Sequence, residues 1–336
     1  MKSFGGLFEC IVAPENLEAA LYRAARGKGY RGLVSRFLAN VDEELPALEE
    51  ELRSGTYRPR PFTQFRILDP KPRLVSCACF RDRVVHHAVS AHIAPVVERR
   101  LIDDNYACRK GKGSHRAVLR AFGFARRFGF WMRTDVRHYY ENIDHDILLA
   151  KLRVLFRESR VRSLLEVLVR SGPPGASPGK GLPIGSLTSQ WFANLYLDGI
   201  DHWIAEERQP GACIRYMDDI AVWSDSKALL HALADDLEAR LRDELRLELK
   251  REVTLVAPCS EGMPFLGYRV YPGTIREKGS RVRRRRRLLA RREGEFLRGE
   301  MSGEKLQACA RAMDGPRKFL GFGEPLTGAN RKNAAL

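Results

Sequence analysis

The stretch ACIRYMDDIAVWS (residues 212–224) decides the fold, because two apolar runs meet there at a pair of adjacent acids. Such a pattern predicts a β-hairpin that carries Asp218 and Asp219 at its tip. Two neighbouring carboxylates in an apolar setting need a cation, since burying an unpaired charge is costly. A plainer interpretation is that both acids are turn residues, a position that Asp favours.

A third acid, Asp135, follows the apolar segment FGFWMRT (128–134). This segment predicts a strand over residues 130–136, followed by a polar turn into a helix. Asp135 and the acid pair are far apart in sequence and can meet only across a sheet. If they meet, they form the carboxylate cage of a two-metal phosphoryl-transfer site. If they do not, Asp135 is simply a helix cap.

The composition is that of a folded, basic chain. Its 336 residues include 58 Lys and Arg against 42 Asp and Glu, a formal net charge of +16, and 44% are hydrophobic. The apolar fraction is too high for a disordered chain, and no uninterrupted apolar run approaches the length of a membrane span. The positive charge indicates a polyanionic partner, either nucleic acid or a membrane surface.

The cysteines and the first residues predict a cytoplasmic protein. The seven cysteines form no CxxC pair and have no histidine at zinc-finger spacing, which is typical of a reducing compartment. We expect no signal peptide, because Glu9 interrupts the first apolar stretch.

Periodicity and turn residues predict the remaining elements. We expect a helical N-terminal extension of about residues 1–50, with two helices between residues 15 and 53. A basic β-hairpin over 57–80 follows, and then the helices and strands of the rest of the chain. The predicted helices are 81–101, 114–127, 145–171, 186–208 and 226–244, and the predicted strands are 246–256 and 264–271. A boundary falls near residue 275, before an arginine-rich helical tail.

The order of the motifs resembles that of reverse transcriptases. Tyr216-Met217-Asp218-Asp219 resembles the YxDD motif of that family, and Asp135 resembles its first metal ligand. Three further motifs resemble those of the prokaryotic enzymes: FRDRVVHHAV (80–89) in the fingers, GLPIGSLTSQWFANLYLDGID (181–201) near template and nucleotide, and FLGY (265–268) in the strand next to the thumb. They cover roughly residues 50–270 in the family's order, which makes coincidence improbable.

The resemblance implies an α+β fold, that of a right-hand polymerase. Residues 1–275 would form the fingers and a palm, in which an antiparallel sheet is backed by helices. Residues 276–336 would form a short, basic helical thumb.

The resemblance also implies an RNA-directed DNA polymerase that uses two Mg²⁺ ions, for which Mn²⁺ is a possible substitute. Asp135 and Asp218 would be the metal ligands and Asp219 a supporting neighbour. The backbone carbonyl of Val136 would help to hold the nucleotide-bound ion.

A second group of residues is implied to bind the nucleotide. Tyr140 lies where the family places an aromatic gate against the ribose 2′-hydroxyl, although the neighbouring Tyr139 is equally aromatic and one of the two is expected to point inward. Lys71, Arg73 and Arg81 lie where the family grips the triphosphate. They also fit a solvated basic face or a contact to the phosphate backbone.

The segment LPIGSLTSQ (182–190) carries Ile184 where most reverse transcriptases have glutamine. An isoleucine cannot hydrogen-bond near the sugar, so we expect looser geometry checking and more misincorporation. The IGxxxSQ pattern of Ile184, Gly185 and Gln190 resembles that of the diversity-generating retroelement enzymes. These copy a template-repeat RNA with errors at adenines, and the cDNA replaces a variable region of a target gene, a process called mutagenic retrohoming.

The tail and one departure from the family complete the predicted site. The arginine run RVRRRRR (281–287) would lie in the thumb and follow the duplex of template and cDNA. Its predicted nucleic-acid contacts are Arg283, Arg284, Arg285, Arg286 and Arg287. A lysine that can protonate pyrophosphate is replaced by Val253, so this role stays open.

Three alternatives remain, namely a group II intron enzyme, a retron enzyme, and a catalytically silent RNA-binding scaffold. Burying three acids without metal is costly and argues against the scaffold. The short tail leaves little room for maturase domains, and retron signatures are absent from the sequence. The resemblance implies template-repeat RNA, dNTPs and an oligomeric basic accessory variability protein as partners.

Overall fold

The computed structural model describes residues 6–27, 32–68 and 72–319. Within them the fold is α+β, as predicted. The helices are α1 (Leu7–Val12), α2 (Pro14–Ala25), α3 (Gly32–Ala39), α4 (Val41–Ser54), α5 (Phe80–Glu98), α6 (Ser114–Ala125), α7 (Tyr139–Asn142), α8 (His145–Leu155), α9 (Ser159–Arg170), α10 (Leu187–Tyr196), α11 (Asp198–His202), α12 (Lys227–Leu245), α13 (Gly279–Leu297) and α14 (Gly303–Phe319).

The strands of the described residues form three antiparallel sheets. They are β1 (Thr63–Ile67), β2 (Arg73–Cys77), β3 (Phe130–Thr134), β4 (Ala212–Tyr216), β5 (Asp219–Ser224), β6 (Leu255–Pro258), β7 (Met263–Phe265), β8 (Tyr268–Val270) and β9 (Ile275–Glu277). β1 pairs with β2, the central sheet has the order β4-β5-β3-β6, and the third has the order β7-β8-β9.

The chain divides into two compact units. The first comprises residues 1–103, 136–203 and 236–250, and the second comprises 104–135, 204–235 and 251–336. The predicted boundary at 275/276 falls inside β9, and the division into fingers, palm and thumb stays a prediction.

The first unit is built around α5. Its side chains are buried on several sides, including Val84, Val85, Ala88 and Ile93. α1, α2 and α10 all pack against this helix. A helix covered in this way needs apolar residues around most of its circumference rather than along one stripe.

The second unit is built on the central sheet. Trp131 of β3 pairs with Trp223 of β5, and both are buried in one apolar cluster with Phe124 of α6. α6 packs against β4 and β8, so a helix backs this sheet within the unit. The strands are short and alternate faces, and their apolar faces meet α6.

Several predicted elements differ in the structure. The single strand predicted over 264–271 is wrong, because Leu266 (φ 44°) and Gly267 (φ 87°) form a tight turn between β7 and β8. Positive φ at two successive residues is the geometry of a two-residue hairpin. The strand predicted over 246–256 is also wrong, since a 3₁₀ turn at Arg251–Val253 precedes the short strand β6.

Most of the predicted helices are confirmed in position, but some of them are interrupted. The helix predicted over 145–171 is interrupted between α8 and α9, and the one over 186–208 consists of α10, α11 and a π-helical turn at Trp203–Arg208. Residues 15–53 form three helices rather than two. Among the described residues, none of the helices has the length and apolar character needed to cross a membrane.

Candidate active site

The β4–β5 hairpin carries the acid pair, as the sequence predicts. Tyr216 pairs with Asp219, so Met217 and Asp218 form a two-residue turn. Met217 has φ 57°, a strained conformation for a residue with a side chain. The buried Arg215 donates from Nη1 to the Met217 carbonyl oxygen at 3.0 Å. This arginine, which sequence reasoning missed, therefore holds the strained turn.

β3 brings Asp135 to the same end of the sheet. Thr134 of β3 pairs with Ile220 of β5, and one further step of this register places Asp135 opposite Asp219. The three acids therefore meet in the second unit, which is the first of the two arrangements that the sequence left open. Burial raises the pKa of Asp218 to about 7, and the negative charge of Asp135 and a hydrogen bond with it add to the rise.

Asp219 has a different environment from Asp218. Arg133 donates to Asp219 Oδ1 from Nε at 2.7 Å and from Nη2 at 2.5 Å. Burial raises the pKa of Asp219, and the charge of Asp135 adds to the rise, while the ion pair with Arg133 and the charge of Lys278 oppose it without cancelling it. Arg133 was not predicted as a site residue either, although period-two alternation places it on the same strand face as Asp135.

The carboxylates of Asp135 and Asp218 fit a hard divalent cation as a pair of ligands, and Asp219 is not a third ligand beside them. No group of three or more His, Cys, Asp or Glu side chains in the described residues is arranged to hold a metal ion. Asp135 and Asp218 are two partly buried carboxylates that repel each other, and a divalent ion relieves this repulsion. Asp219 is paired with Arg133 instead, and its supporting role stays a prediction.

In the first unit, Val136 and the two tyrosines follow the strand that carries Asp135. Val136 is buried and forms an isolated antiparallel bridge with Leu249. Tyr139 is the inward ring, and its hydroxyl donates to the Ala193 carbonyl oxygen. Tyr140 is only half-buried, and its carbonyl oxygen accepts from Leu182 N at 2.8 Å. Of the two rings, Tyr140 is the accessible one.

The Ile184–Gly185 segment lies against β2, also in the first unit. Ser76 N donates to the Ile184 carbonyl oxygen at 2.8 Å. Gly185 has φ +112°, and a Cβ there would lie 2.9 Å from Val75 Cγ1 and 3.0 Å from Ser76 O. Glycine is required here both by its backbone conformation and by the close approach of β2.

A buried polar network fixes the start of α10. His86 Nδ1 lies 2.9 Å from Thr188 Oγ1, and Ser186 Oγ lies 3.3 Å from both atoms. Burial lowers the pKa of His86 to about 4, so the ring is neutral. No role was predicted for His86 from the sequence. In the structure, His86 anchors the motif that contains Ile184. Gln190 is half-buried on α10.

The three predicted triphosphate cations lie in different settings. Lys71 lies outside the described residues. Arg73 is exposed at the start of β2. Arg81 is buried, forms an ion pair with Glu51, and lies 5.6 Å above the Tyr57 ring. This arrangement ties α5 to α4, so a nucleotide contact from Arg81 stays a prediction.

The arginines of α13 divide between two faces. Arg285 donates from Nη1 to Glu277 at 2.7 and 2.8 Å, and Arg281 stacks 4.8 Å from the Tyr268 ring. The other predicted nucleic-acid contacts are exposed, namely Arg283, Arg284, Arg286 and Arg287.

Comparison with known proteins gives consistent matches. A family model described as reverse transcriptase (RNA-dependent DNA polymerase) matches residues 68–270. Protein YkfC of Escherichia coli is 24% identical over 313 residues, which cover 79% of this chain and 82% of YkfC. Group II intron-encoded protein LtrA of Lactococcus lactis is 22% identical over 354 residues, covering 82% of this chain and 59% of LtrA.

A solved structure of apo telomerase from Candida tropicalis aligns with a TM-score of 0.49 at 10% identity. The alignment covers 68% of this chain and 59% of the telomerase chain. The chain therefore spans less than two thirds of the length of LtrA and of this telomerase.

Proposed function

This chain belongs to the reverse transcriptase family of RNA-dependent DNA polymerases, and from that premise we propose that it copies a template-repeat RNA into cDNA with low fidelity. In this proposal the errors fall at template adenines and serve to diversify a target gene by mutagenic retrohoming. The observation that carries the low-fidelity proposal is the isoleucine at position 184.

The carboxylates at the tip of the β4–β5 hairpin are proposed to perform nucleotidyl transfer. Asp135 and Asp218 would hold two Mg²⁺ or Mn²⁺ ions with the Val136 carbonyl oxygen, while Asp219 and Arg133 keep the pair in place. Bound divalent ions would activate the primer hydroxyl and neutralise charge on the leaving pyrophosphate. Arg215 supports this arrangement, because it fixes the turn that carries Asp218.

The first unit is proposed to select the nucleotide. Arg73, and Lys71 and Arg81 with it, would bind the triphosphate, and Tyr140 would exclude a ribose 2′-hydroxyl. Gly185 and Gln190 would position the incoming base or the template. What supports a loose selection step is that Ile184 offers only apolar atoms where an amide would donate and accept hydrogen bonds.

The test of low fidelity is the variant Ile184→Gln, with Ile184→Val as the matched apolar control. Each protein extends a DNA primer on an RNA template, and the products are sequenced. We expect Ile184→Gln to lower misincorporation opposite adenine by roughly tenfold, the value of one good hydrogen bond in discrimination. The Ile184→Val variant should keep the error rate of the parent protein.

Asp218→Ala in the same assay tests the polymerase itself, because its extension should fall to background. Accurate copying by the parent protein would reject the diversity-generating proposal and leave the polymerase intact. Absence of extension by the parent protein on every primed RNA template, with Mg²⁺ and with Mn²⁺, would reject the polymerase.

A second candidate is a reverse transcriptase of the group II intron type. The similarity to Group II intron-encoded protein LtrA favours it. The two candidates differ in error spectrum: a group II type enzyme should copy adenines as accurately as other bases.

The remaining parts of the proposal concern partners. The exposed arginines of α13, Arg283, Arg284, Arg286 and Arg287, would contact the duplex of template and cDNA, and Arg285 would support them through Glu277. We also propose that the chain binds an oligomeric basic accessory variability protein and that it acts in the cytoplasm.

A further inference from the structure

A long acid-free segment lies in the second unit, outside the site described above. Residues 105–132 contain seven Lys and Arg and neither Asp nor Glu. The segment includes α6, whose inner face is buried in the apolar cluster of the sheet through residues such as Val118 and Phe124. Its charges must therefore lie on the outer face of the helix or in the adjoining loops.

The outer face of α6 carries a stripe of arginines. Arg116, Arg120 and Gly123 follow one another on α6 at the spacing i, i+4 and i+7, and Arg126 and Arg127 lie in the turn directly after the helix. All four arginines are exposed. Arg120 bonds to Asp104 at 2.9 and 3.1 Å, so the acid that precedes the segment neutralises only one of them.

Aromatic rings hold three of these arginines in place. The Arg120 guanidinium lies 4.5 Å from the Phe124 ring centroid, Arg126 lies 5.8 Å from Phe122, and Arg127 lies 5.5 Å from Phe128. A guanidinium stacked on a ring can still present its N–H edge to phosphate, as we infer for Arg126 and Arg127, whereas Arg120 uses that edge on Asp104. The stripe is therefore partly preorganised, and binding would cost less side-chain entropy than for mobile arginines.

Gly123 lies in the middle of the stripe. It is exposed, and a Cβ added there would meet no atom within 4 Å. Glycine inside a helix costs about 1 kcal/mol relative to alanine, and the described residues give no packing reason for it. A flat position between charged side chains suits the close approach of another backbone.

We propose that this face, Arg116, Arg120, Gly123, Arg126 and Arg127, binds the phosphate backbone of double-stranded RNA outside the polymerase site. Single-stranded RNA needs open aromatic faces on which bases stack, and the rings here are buried or covered by arginines. A membrane surface needs exposed apolar side chains, and among the residues of α6 only Leu119 is a largely exposed large apolar residue. The inference rests on the proposed function only in taking RNA as the partner.

The first test is the triple variant Arg116→Gln, Arg126→Gln and Arg127→Gln, measured against a blunt RNA duplex of about 16 base pairs. The matched control is Arg36→Gln, Arg157→Gln and Arg162→Gln, which removes three exposed arginines from the first unit. We expect the α6 variant to lose roughly tenfold or more in affinity and about one unit of salt slope per arginine. The control should keep both values near those of the parent protein.

The second test is Gly123→Gln, which adds a side chain without changing the charge. Glutamine favours helix, so thermal unfolding should not fall, while duplex affinity should drop severalfold. Both α6 variants should still extend a short primed template, which separates this surface from polymerase activity. Equal effects of the α6 and control variants, or a parent protein that prefers single-stranded RNA or anionic lipid vesicles over the duplex, would overturn the proposal.

Discussion

At the scale of single residues, the Asp218 carboxyl experiences two unfavourable effects at once. Burial and the charge of Asp135 both disfavour its ionised form, which raises its pKa to about 7. The raised pKa means that the folded, metal-free protein holds a proton that the unfolded chain releases at lower pH. Stability without metal should therefore fall as the pH rises from about 4 to about 7.

This raised pKa predicts a pH-dependent effect of Mg²⁺ on stability. A divalent ion needs the ionised carboxylate, so it must displace the proton from Asp218 below pH 7. We expect Mg²⁺ to raise the thermal unfolding temperature more at pH 8 than at pH 6, as measured by calorimetry at several Mg²⁺ concentrations. Asp218→Asn should remove most of the effect at both values. Equal shifts at pH 6 and pH 8 in the parent protein would contradict the prediction.

His86 predicts a second pH effect, of opposite sign. Its pKa is lowered to about 4 by burial, whereas in the unfolded chain it is near 6.5, so the unfolded state gains protons first as the pH falls. The His86 contribution to stability is complete above about pH 6.5 and is lost towards pH 4, by up to about 3 kcal/mol. Denaturant unfolding of His86→Asn should show a flatter pH dependence than the parent protein over this range.

The exposed His231 provides the control for that measurement. His231→Asn should keep the pH dependence of the parent protein. If His86→Asn also keeps it, the ring does not stay neutral in the folded state, and the network with Ser186 and Thr188 differs from the one described.

At the scale of elements, the contact between β2 and the Ile184–Gly185 segment should be sensitive to one added methyl group. Gly185→Ala introduces a Cβ 2.9 Å from Val75 Cγ1 in addition to an unfavourable φ of +112°. We expect a loss of about 1–3 kcal/mol in unfolding free energy, together with weaker nucleotide binding. Urea unfolding and the KM for dNTPs measure the two effects.

Gly175→Ala is the matched control for backbone strain alone. Gly175 has φ +78°, yet a Cβ there would meet nothing within 4 Å. Its cost should be smaller than that of Gly185→Ala, and KM should not change. A Gly185→Ala protein that resembles Gly175→Ala would show that the approach of β2 does not constrain this segment.

The elements also show how far sequence reasoning reaches. The β4–β5 hairpin, β3 and α12 were predicted because apolar periodicity and turn residues act locally. The hairpin at Leu266–Gly267 was missed because the apolar run FLGY hides a turn in which a leucine adopts positive φ. Gly267 is a local turn signal, but a single glycine within an apolar run does not distinguish a turn from a bulge in a continuous strand.

The residues of the candidate site likewise divide into those that local sequence patterns predict and those whose roles depend on the tertiary fold. The three acids could be predicted, since the motif and the strand end are local features. Arg215 and His86 could not be given their roles, because each acts through a partner that only the tertiary fold brings close. Arg133 lies between these cases: alternation places it beside Asp135, but only the β3–β5 register brings it to Asp219.

At the scale of the whole molecule, the chain passes between its two compact units five times, at 103/104, 135/136, 203/204, 235/236 and 250/251. The acids Asp135, Asp218 and Asp219 all belong to the second unit, whereas the residues proposed to select the nucleotide belong to the first. The last crossing lies well before residue 275. Any boundary of a thumb near residue 275 therefore lies within the second unit. We expect it to follow β9, so that the β7-β8-β9 sheet stays whole.

Two truncated chains test where that boundary lies. A chain that ends at residue 275 loses Arg276 and Glu277 of β9, which are the partners of Arg269 and Tyr268, and keeps only Ile275 opposite Val270. A chain that ends at residue 278 keeps the whole strand and removes only α13 and the residues after it. We expect the shorter chain to unfold several degrees lower in calorimetry, since a loss of 1 kcal/mol lowers Tm by about 2–4 °C in a chain of this size. Both should bind primed template more weakly than the full chain, because both lack the arginines of α13. Equal unfolding temperatures for the two would show that β9 belongs with the thumb and would place the boundary at residue 275.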